Sequence, residues 1–223
     1  MTKLIKPKAI IFDWDNTLAE NRDVVVSAMN KTLSSYNKEN WEITKKKHRD
    51  PNKSLKENFV NFFGEQAKEA YKLYMDSYIE FRNMLKPMDN SQELLKKLTI
   101  NNPEIKLIIA SNKERSLLLM EIDVIFKNIN FYKIMANGDS EKNKPDASPV
   151  IKSLEDTNIN INPENVWIIG DSKQDIDCAY NANCQPILLG EGNLAEKDFF
   201  EEKKNSNPKM LNINNLIEIL DLF

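Results

Sequence analysis

Two carboxylates near the start of the chain, Asp13 and Asp15, follow directly on an apolar run. The four apolar residues Ala9–Phe12 predict a buried strand of a parallel sheet. In such sheets, ligands bind just beyond the carboxyl ends of the strands, so both acids lie where chemistry is expected. Two acids this close repel each other unless a cation or a proton is shared between them. Asp is also an ordinary turn residue, so the pair by itself fits a polar turn equally well.

Three further polar sites fall at the ends of predicted strands or in loops beside them. Ser111 and Asn112 follow one apolar run, and Asp171 follows another. Asp175 lies four residues after Asp171, on the same face of a predicted helix, and Lys144 lies in a loop. Singly, each has a structural explanation, such as a helix cap or a solvated lysine. Together with the first two acids, they form an oxygen-rich cluster that suits Mg²⁺ and a phosphate.

Alternating apolar runs and helical segments predict the scaffold that positions these residues. Buried strands are expected at 106–110, 132–136, 166–169 and 186–189. Helices are expected at 91–98, 113–120, 148–156 and 214–220, and a further helix is expected to end at 182. Ser91 and Ser148 are expected to be the N-caps of the first and third of these helices. Strands that alternate with helices indicate an α/β fold with a doubly wound, Rossmann-like parallel sheet.

The segment that follows the first strand is predicted to be helical up to Pro87. Apolar residues recur at helical spacing over 22–36, Ser54 and Glu57 fit a capping box, and an aromatic stripe runs along 65–84. No strand is indicated between Leu18 and Pro87. We therefore predict a small all-α second domain at 19–87, inserted into a core that comprises 1–18 and 88–223.

Composition and charge exclude several classes of protein. The 223 residues are 41% hydrophobic and carry a net charge of −3, which fits a packed core and argues against a polynucleotide partner. No apolar run approaches the roughly 20 residues of a membrane span. Cys178 and Cys184 are too few for a disulfide framework, so we expect reduced thiols in a cytoplasmic protein. The five glycines form no nucleotide-binding loop, and the single histidine, His48, lies in a basic run that does not suggest a catalytic triad.

These motifs resemble those of the haloacid dehalogenase superfamily, in the phosphatase branch with a helical cap to which phosphoglycolate phosphatases belong. The family's first motif, D-x-D-x-T, matches Asp13-Trp14-Asp15-Asn16-Thr17. Its second, third and fourth motifs match Ser111, Lys144 before Pro145, and the G-D-x-x-x-D run at 170–175. The resemblance covers nearly the whole chain, with the cap at 19–87. Asn143 and Asn183 stand where relatives often have glycine, and neither change removes a catalytic group.

The resemblance implies a Mg²⁺-dependent phosphomonoester hydrolase that acts on a small metabolite, such as phosphoglycolate, through an aspartyl-phosphate. It implies that Asp13 is the nucleophile and Asp15 the general acid and base, while Thr17 steadies their loop. The groups implied to hold the phosphate are the backbone N–H groups near Trp14, Asp15 and Asn112, with the side chains of Ser111 and Lys144. The residues implied at the metal are Asp13, Asp15 through its carbonyl, Asp171, and Asp175 through water or Lys144.

Other activities share parts of this pattern. A phosphosugar mutase of the same superfamily has the same core but returns the phosphoryl group to its substrate. A dehalogenase has no use for Asp15, Asp171 and Mg²⁺ together, and a phosphonatase needs a cap lysine, which the lysine-rich insertion could supply. A phosphorylatable receiver domain is much shorter and carries its acceptor aspartate on a later strand.

Overall fold

The computed structural model describes residues 3–50, 53–192 and 196–223, which form eight strands and nine α-helices. The strands are β1 Ala9–Phe12, β2 Ala19–Glu20, β3 Lys86–Pro87, β4 Lys106–Ala110, β5 Lys133–Met135, β6 Val166–Gly170, β7 Gln185–Leu189 and β8 Leu211–Ile213. The helices are α1 Arg22–Ser35, α2 Trp41–His48, α3 Leu55–Phe63, α4 Ala67–Glu80, α5 Ser91–Asn101, α6 Arg115–Ile125, α7 Ser148–Leu154, α8 Lys173–Asn181 and α9 Lys197–Lys203. None of the described helices combines the length and the apolar character that a bilayer span requires.

Six of the strands form one parallel sheet in the order β5-β4-β1-β6-β7-β8. The register aligns Phe12 at the end of β1 with Ile109 on β4 and Ile169 on β6. The central strands therefore end level with one another, and the residues that follow them lie side by side. The predicted α/β fold with a Rossmann-like parallel sheet is confirmed.

Helices cover both faces of the sheet, so the central strands are almost entirely apolar. All four residues of β1 are buried, as expected for a parallel strand covered on both sides. On one face, Ile11, Ile108 and Ile168 pack with α7 and α8. Each such buried side chain stabilises the fold by about 1.5–3 kcal/mol. Cys178 and Cys184 are free thiols within this core.

The chain divides into two compact units, Met1–Glu20 with Lys86–Phe223, and Asn21–Leu85. The second unit is helical, with α1 packed along α4. Its core is aromatic, since Phe59 of α3 contacts Phe63, Tyr71 and Tyr74. The capping box at Ser54 and Glu57 is present, and Gly64 ends α3 with a positive φ of 58° that suits glycine.

Some local predictions were wrong. Strands β2 and β3 interrupt the segment expected to lack strands, and they pair antiparallel through Ala19 with Pro87. The helix expected at 65–84 is α4 flanked by two 3₁₀ turns, and it ends at Glu80 rather than at the proline. Ser91 and Ser148 are the first helical residues, not N-caps. Near the C-terminus, α9 and β8 were not predicted, and the closing helix is a 3₁₀ helix at Leu216–Asp221.

Candidate active site

The level ends of β1, β4 and β6 bring Asp13, Ser111 and Asp171 to one edge of the sheet. The Asp13 N–H donates to the Ile169 carbonyl at 2.8 Å, which extends the ladder by one residue and fixes the start of the loop. A loop adds Lys144 to the same place, and the first turn of α8 adds Asp175. The structure thus brings together residues that are up to 162 positions apart, from Asp13 to Asp175.

Lys144 is the centre of this group. Its Nζ lies 2.5 Å from Asp13 Oδ1 and 2.6 Å from Asp175 Oδ1, and its side chain is 4% exposed. Burial by itself lowers the pKa of a lysine, but the Asp13 and Asp175 carboxylates outweigh it and hold the pKa of Lys144 above its usual range. The ammonium group is therefore a fixed positive charge at the carboxyl edge of the sheet.

Three carboxylates form an acidic group that could hold a cation. One oxygen each from Asp13, Asp171 and Asp175 lie within 4.8 Å of one another. Burial, followed by the nearby Asp175 carboxylate, raises the pKa of Asp13 above its usual range and that of Asp171 to about 6. Ionising these acids is costly without further positive charge, and an all-oxygen donor set is the kind that Mg²⁺ prefers. The residues present thus fit a Mg²⁺ ion.

Asp175 is held on two sides, which limits its part in metal binding. Its Oδ1 accepts from Lys144, and its Oδ2 accepts from the N–H of Ser172 at 3.1 Å and from its hydroxyl at 2.5 Å. The bond from the Ser172 N–H is part of the capping box that begins α8. Asp175 also packs directly on Gly170, where an added Cβ would lie 2.3 Å from Asp175 Cγ. The glycine of this motif is therefore required by the close approach of the Asp175 side chain.

Asn112 ties β4 to the loop that carries Lys144. Its side-chain amide donates to the Lys144 carbonyl at 2.8 Å, and its side-chain oxygen accepts from the Lys144 N–H at 3.0 Å. The amide also donates to Gln174 at the start of α8, at 3.1 Å. We predicted Asn112 through its backbone N–H group, and the structure adds this side-chain brace, which sequence spacing could not show.

The remaining predicted residues surround the acids. Ser111 is buried, and its Oγ accepts from the Lys113 N–H at 3.2 Å. The Thr17 hydroxyl donates to Asp13 Oδ2 at 3.4 Å, consistent with a supporting part in the loop. Asn16 takes a left-handed conformation with a φ of 58°. Asn tolerates that conformation better than most residues.

The sequence analysis missed two charged residues beside Asp15. Lys113 Nζ lies 2.6 Å from Asp15 Oδ1 and 2.6 Å from Glu121 Oε1. Glu121 is fully buried on α6, and its Oε2 accepts from the Trp14 indole N–H at 2.6 Å. Burial opposes the charge on Lys113, but Asp15 and Glu121 keep its pKa above the usual range. The signal in the sequence was a lone acid on the apolar face of α6.

Comparison with known proteins finds relatives that match most of this chain. A family model described as haloacid dehalogenase-like hydrolase matches residues 10–189. A protein from Clostridium perfringens with the provisional name pyrophosphatase PpaX is 27% identical over 96% of this chain and 96% of its own length. A phosphoglycolate phosphatase from Aquifex aeolicus is 26% identical over 81% of this chain and 84% of its own length. The crystal structure of a HAD-superfamily hydrolase from Ehrlichia chaffeensis aligns with a TM-score of 0.61 and 29% identity, over 98% of this chain and 97% of that one.

Proposed function

Because the chain belongs to the haloacid dehalogenase-like hydrolase family, we propose that it is a Mg²⁺-dependent phosphatase that acts through an aspartyl-phosphate. The observation that carries the proposal is the buried Lys144 ammonium between the Asp13 and Asp175 carboxylates, with Asp171 beside them. Positive charge next to a buried carboxylate suits a nucleophile that attacks an anionic phosphate. The substrate class we propose is a small phosphorylated metabolite.

The reaction begins with attack of an Asp13 carboxylate oxygen on the phosphorus of the ester. The bond from phosphorus to the leaving oxygen breaks, and Asp15 gives its proton to that oxygen. Asp15, now a carboxylate, takes a proton from water. The hydroxide oxygen attacks phosphorus, the bond to Asp13 breaks, and inorganic phosphate leaves. Both steps therefore need Asp15 in a fixed place beside Asp13.

The phosphate oxygens are proposed to be held by groups at the ends of β1 and β4. The Ser111 hydroxyl and the Lys144 ammonium supply two side-chain donors, and the backbone N–H groups of Trp14, Asp15 and Asn112 supply the others. Lys144 is held by two carboxylates and by Asn112, so its charge is in place before substrate binds. Donors fixed beforehand stabilise the transition state without reorganisation.

Asp13, Asp171 and the Asp15 carbonyl are the ligands that we propose for Mg²⁺. When bound, the ion offsets the negative charge of the acids and polarises the phosphate. Both oxygens of Asp175 already accept hydrogen bonds from Lys144 and Ser172, so we propose that Asp175 acts by positioning Lys144.

We propose that the helical unit Asn21–Leu85 is the cap that selects the substrate. The similarity to the Aquifex aeolicus protein, a phosphoglycolate phosphatase, supports a small phosphomonoester as the substrate. The similarity to the Clostridium perfringens protein supports a second candidate reaction, hydrolysis of a phosphoanhydride such as pyrophosphate. Both reactions break a bond from phosphorus to oxygen by the same steps, and they differ only in the leaving group.

The test is release of inorganic phosphate from a panel that contains phosphoglycolate, other small phosphomonoesters and pyrophosphate, with and without Mg²⁺. We expect Mg²⁺-dependent turnover that Asp13→Asn abolishes. Asp123→Asn, on the exposed face of α6, removes the same charge away from the site and should leave turnover unchanged. A folded wild-type protein that releases no phosphate from any compound would refute the phosphatase, and isomerisation of sugar phosphates would then test the mutase alternative.

A further inference from the structure

A closed ring of polar contacts joins the loop of the two catalytic acids to α6. The Trp14 indole N–H donates to Glu121 Oε2, and Glu121 Oε1 accepts from Lys113 Nζ, both at 2.6 Å. The same Nζ donates to Asp15 Oδ1 at 2.6 Å. Trp14 and Asp15 are consecutive, so their peptide bond closes the ring. Lys113 thus holds the Asp15 side chain, and Lys113 is itself held by Glu121, which is hydrogen-bonded to Trp14.

Only one end of the ring reaches solvent. Trp14 and Glu121 are fully buried, and the Lys113 side chain is 8% exposed, whereas the Asp15 side chain is 38% exposed. The rotamers of the three inner side chains are therefore set by packing and by their mutual contacts. Asp15 is the member that can meet a substrate, and its orientation follows from theirs.

Stability alone is a weak explanation for this arrangement. A buried ion pair is costly to desolvate, and apolar residues of similar volume are often at least as stabilising. The α6 segment is otherwise apolar on its inner face, where Leu117, Leu118 and Ile122 are buried. An apolar residue in place of Glu121 would suit that surface. The charge on Glu121 instead has a use as the partner that places the Lys113 ammonium.

We propose that Lys113, braced by Glu121, is the positioning residue that orients the Asp15 carboxyl group for its proton transfers, an inference that rests on the proposed function. Contact through Oδ1 fixes the plane of the carboxyl group, and the other oxygen can then exchange the proton. After Asp15 has protonated the leaving oxygen, the carboxylate that remains lies next to the Lys113 ammonium. The ring thus supports Asp15 both as an acid and as a base.

The test is Lys113→Met, which keeps the length of the side chain and removes the charge. For an alkyl phosphate, whose leaving oxygen needs a proton, we expect kcat to fall about 100-fold with KM unchanged. For p-nitrophenyl phosphate, whose leaving group departs without a proton, the initial burst of p-nitrophenol should persist, while steady turnover falls because hydrolysis of the aspartyl-phosphate still needs Asp15. Lys97→Met, which removes an exposed pair with Glu93, is the matched control and should change neither.

Two further variants separate positioning from other roles. In an Asp15→Asn background, Lys113→Met should cause no additional loss, because it acts through a carboxyl group that is no longer there. If Lys113→Met folds poorly, the double variant Lys113→Met with Glu121→Gln takes its place, because it leaves no unpaired buried charge. It should show the same kinetic pattern. A full additional loss in the Asp15→Asn background, an equal loss of both reaction steps with p-nitrophenyl phosphate, or a rise in KM alone would overturn the inference. A wild-type enzyme without phosphatase activity would overturn the proposed function as well.

Discussion

Replacement of Gly170 by alanine tests how Asp175 and Lys144 depend on each other. An added Cβ would lie 2.3 Å from Asp175 Cγ, and an ordinary contact begins at 3.4 Å, so the carboxyl group would have to retreat by about 1 Å. It cannot do so and keep both its 2.6 Å contact with Lys144 and its bonds to Ser172. The backbone itself accepts alanine, because Gly170 is not among the residues with positive φ.

The expected cost has a structural part and a catalytic part. Overpacking of a buried site costs about 1–3 kcal/mol, and loss of a buried pair adds to it, so we expect the free energy of unfolding to fall by about 3 kcal/mol. Displacement of Lys144 by about 1 Å is expected to lower kcat/KM on the order of 100-fold. Both effects come from one added methyl group.

Urea denaturation and phosphate release are the two assays. Gly190→Ala is the matched control, because an added Cβ there meets nothing within 4 Å and only the positive φ of 73° is strained. We expect that control to lose about 1–2 kcal/mol of stability and to keep its kcat/KM. A Gly170→Ala protein with wild-type kcat/KM would refute the reasoning, since it would mean that Asp175 can move without Lys144.

Three other predictions follow from the geometry of the site. Asn112→Ala removes the brace on the Lys144 peptide, and we expect a loss of about 1–2 kcal/mol in urea denaturation and a fall in kcat/KM, whereas a wild-type kcat/KM would show that the loop is held by other contacts. In the absence of Mg²⁺, the pKa of Asp171 is raised to about 6, so the folded state binds this proton more tightly than the unfolded state does. The free energy of unfolding is therefore expected to fall by about 2–3 kcal/mol as the pH rises from about 4 through 6. Asp171→Asn should remove that part of the decline, and an identical pH profile in this variant would contradict the assignment. Mg²⁺ is expected to raise the melting temperature of the wild type at pH 7 and to do so much less for Asp171→Asn, as measured by calorimetry, and equal shifts in both would place the ion elsewhere.

The sequence was most informative where a residue's environment is set by its neighbours along the chain. Strand β1 is an uninterrupted apolar run, and β4 is one after its first residue, because both faces of a parallel sheet are covered. The bounds of both strands were predicted correctly. Asp13 and Ser111 follow those runs directly. Their proximity could therefore be inferred from the rule that parallel strands end at one edge.

The sequence was least informative where a contact joins distant residues or where an element is very short. Glu121 lies 107 residues from the Trp14 indole that it accepts from, and no spacing rule connects the two. Strands β2 and β3 have two residues each, too few for an alternating pattern, and their pairing depends on the ends of an insertion of more than sixty residues. Asn112 shows the same limit, since its sequence position indicates a backbone donor and only the folded loop reveals its side-chain brace.

The short β2–β3 pair has a consequence for how such a protein can diversify. The chain leaves the sheet-containing unit at Glu20 and returns at Lys86, and the two residues are partners across the ladder. The Met88 N–H also bonds to the Leu18 carbonyl at 2.9 Å, so both strands of the junction are held by the core itself. The entropy cost of closing the chain between two such fixed ends grows only slowly with its length, by about 0.6 kcal/mol for each doubling. The segment between them can therefore be shortened, lengthened or replaced by another domain, while the junction and the acids that follow β1 keep their positions.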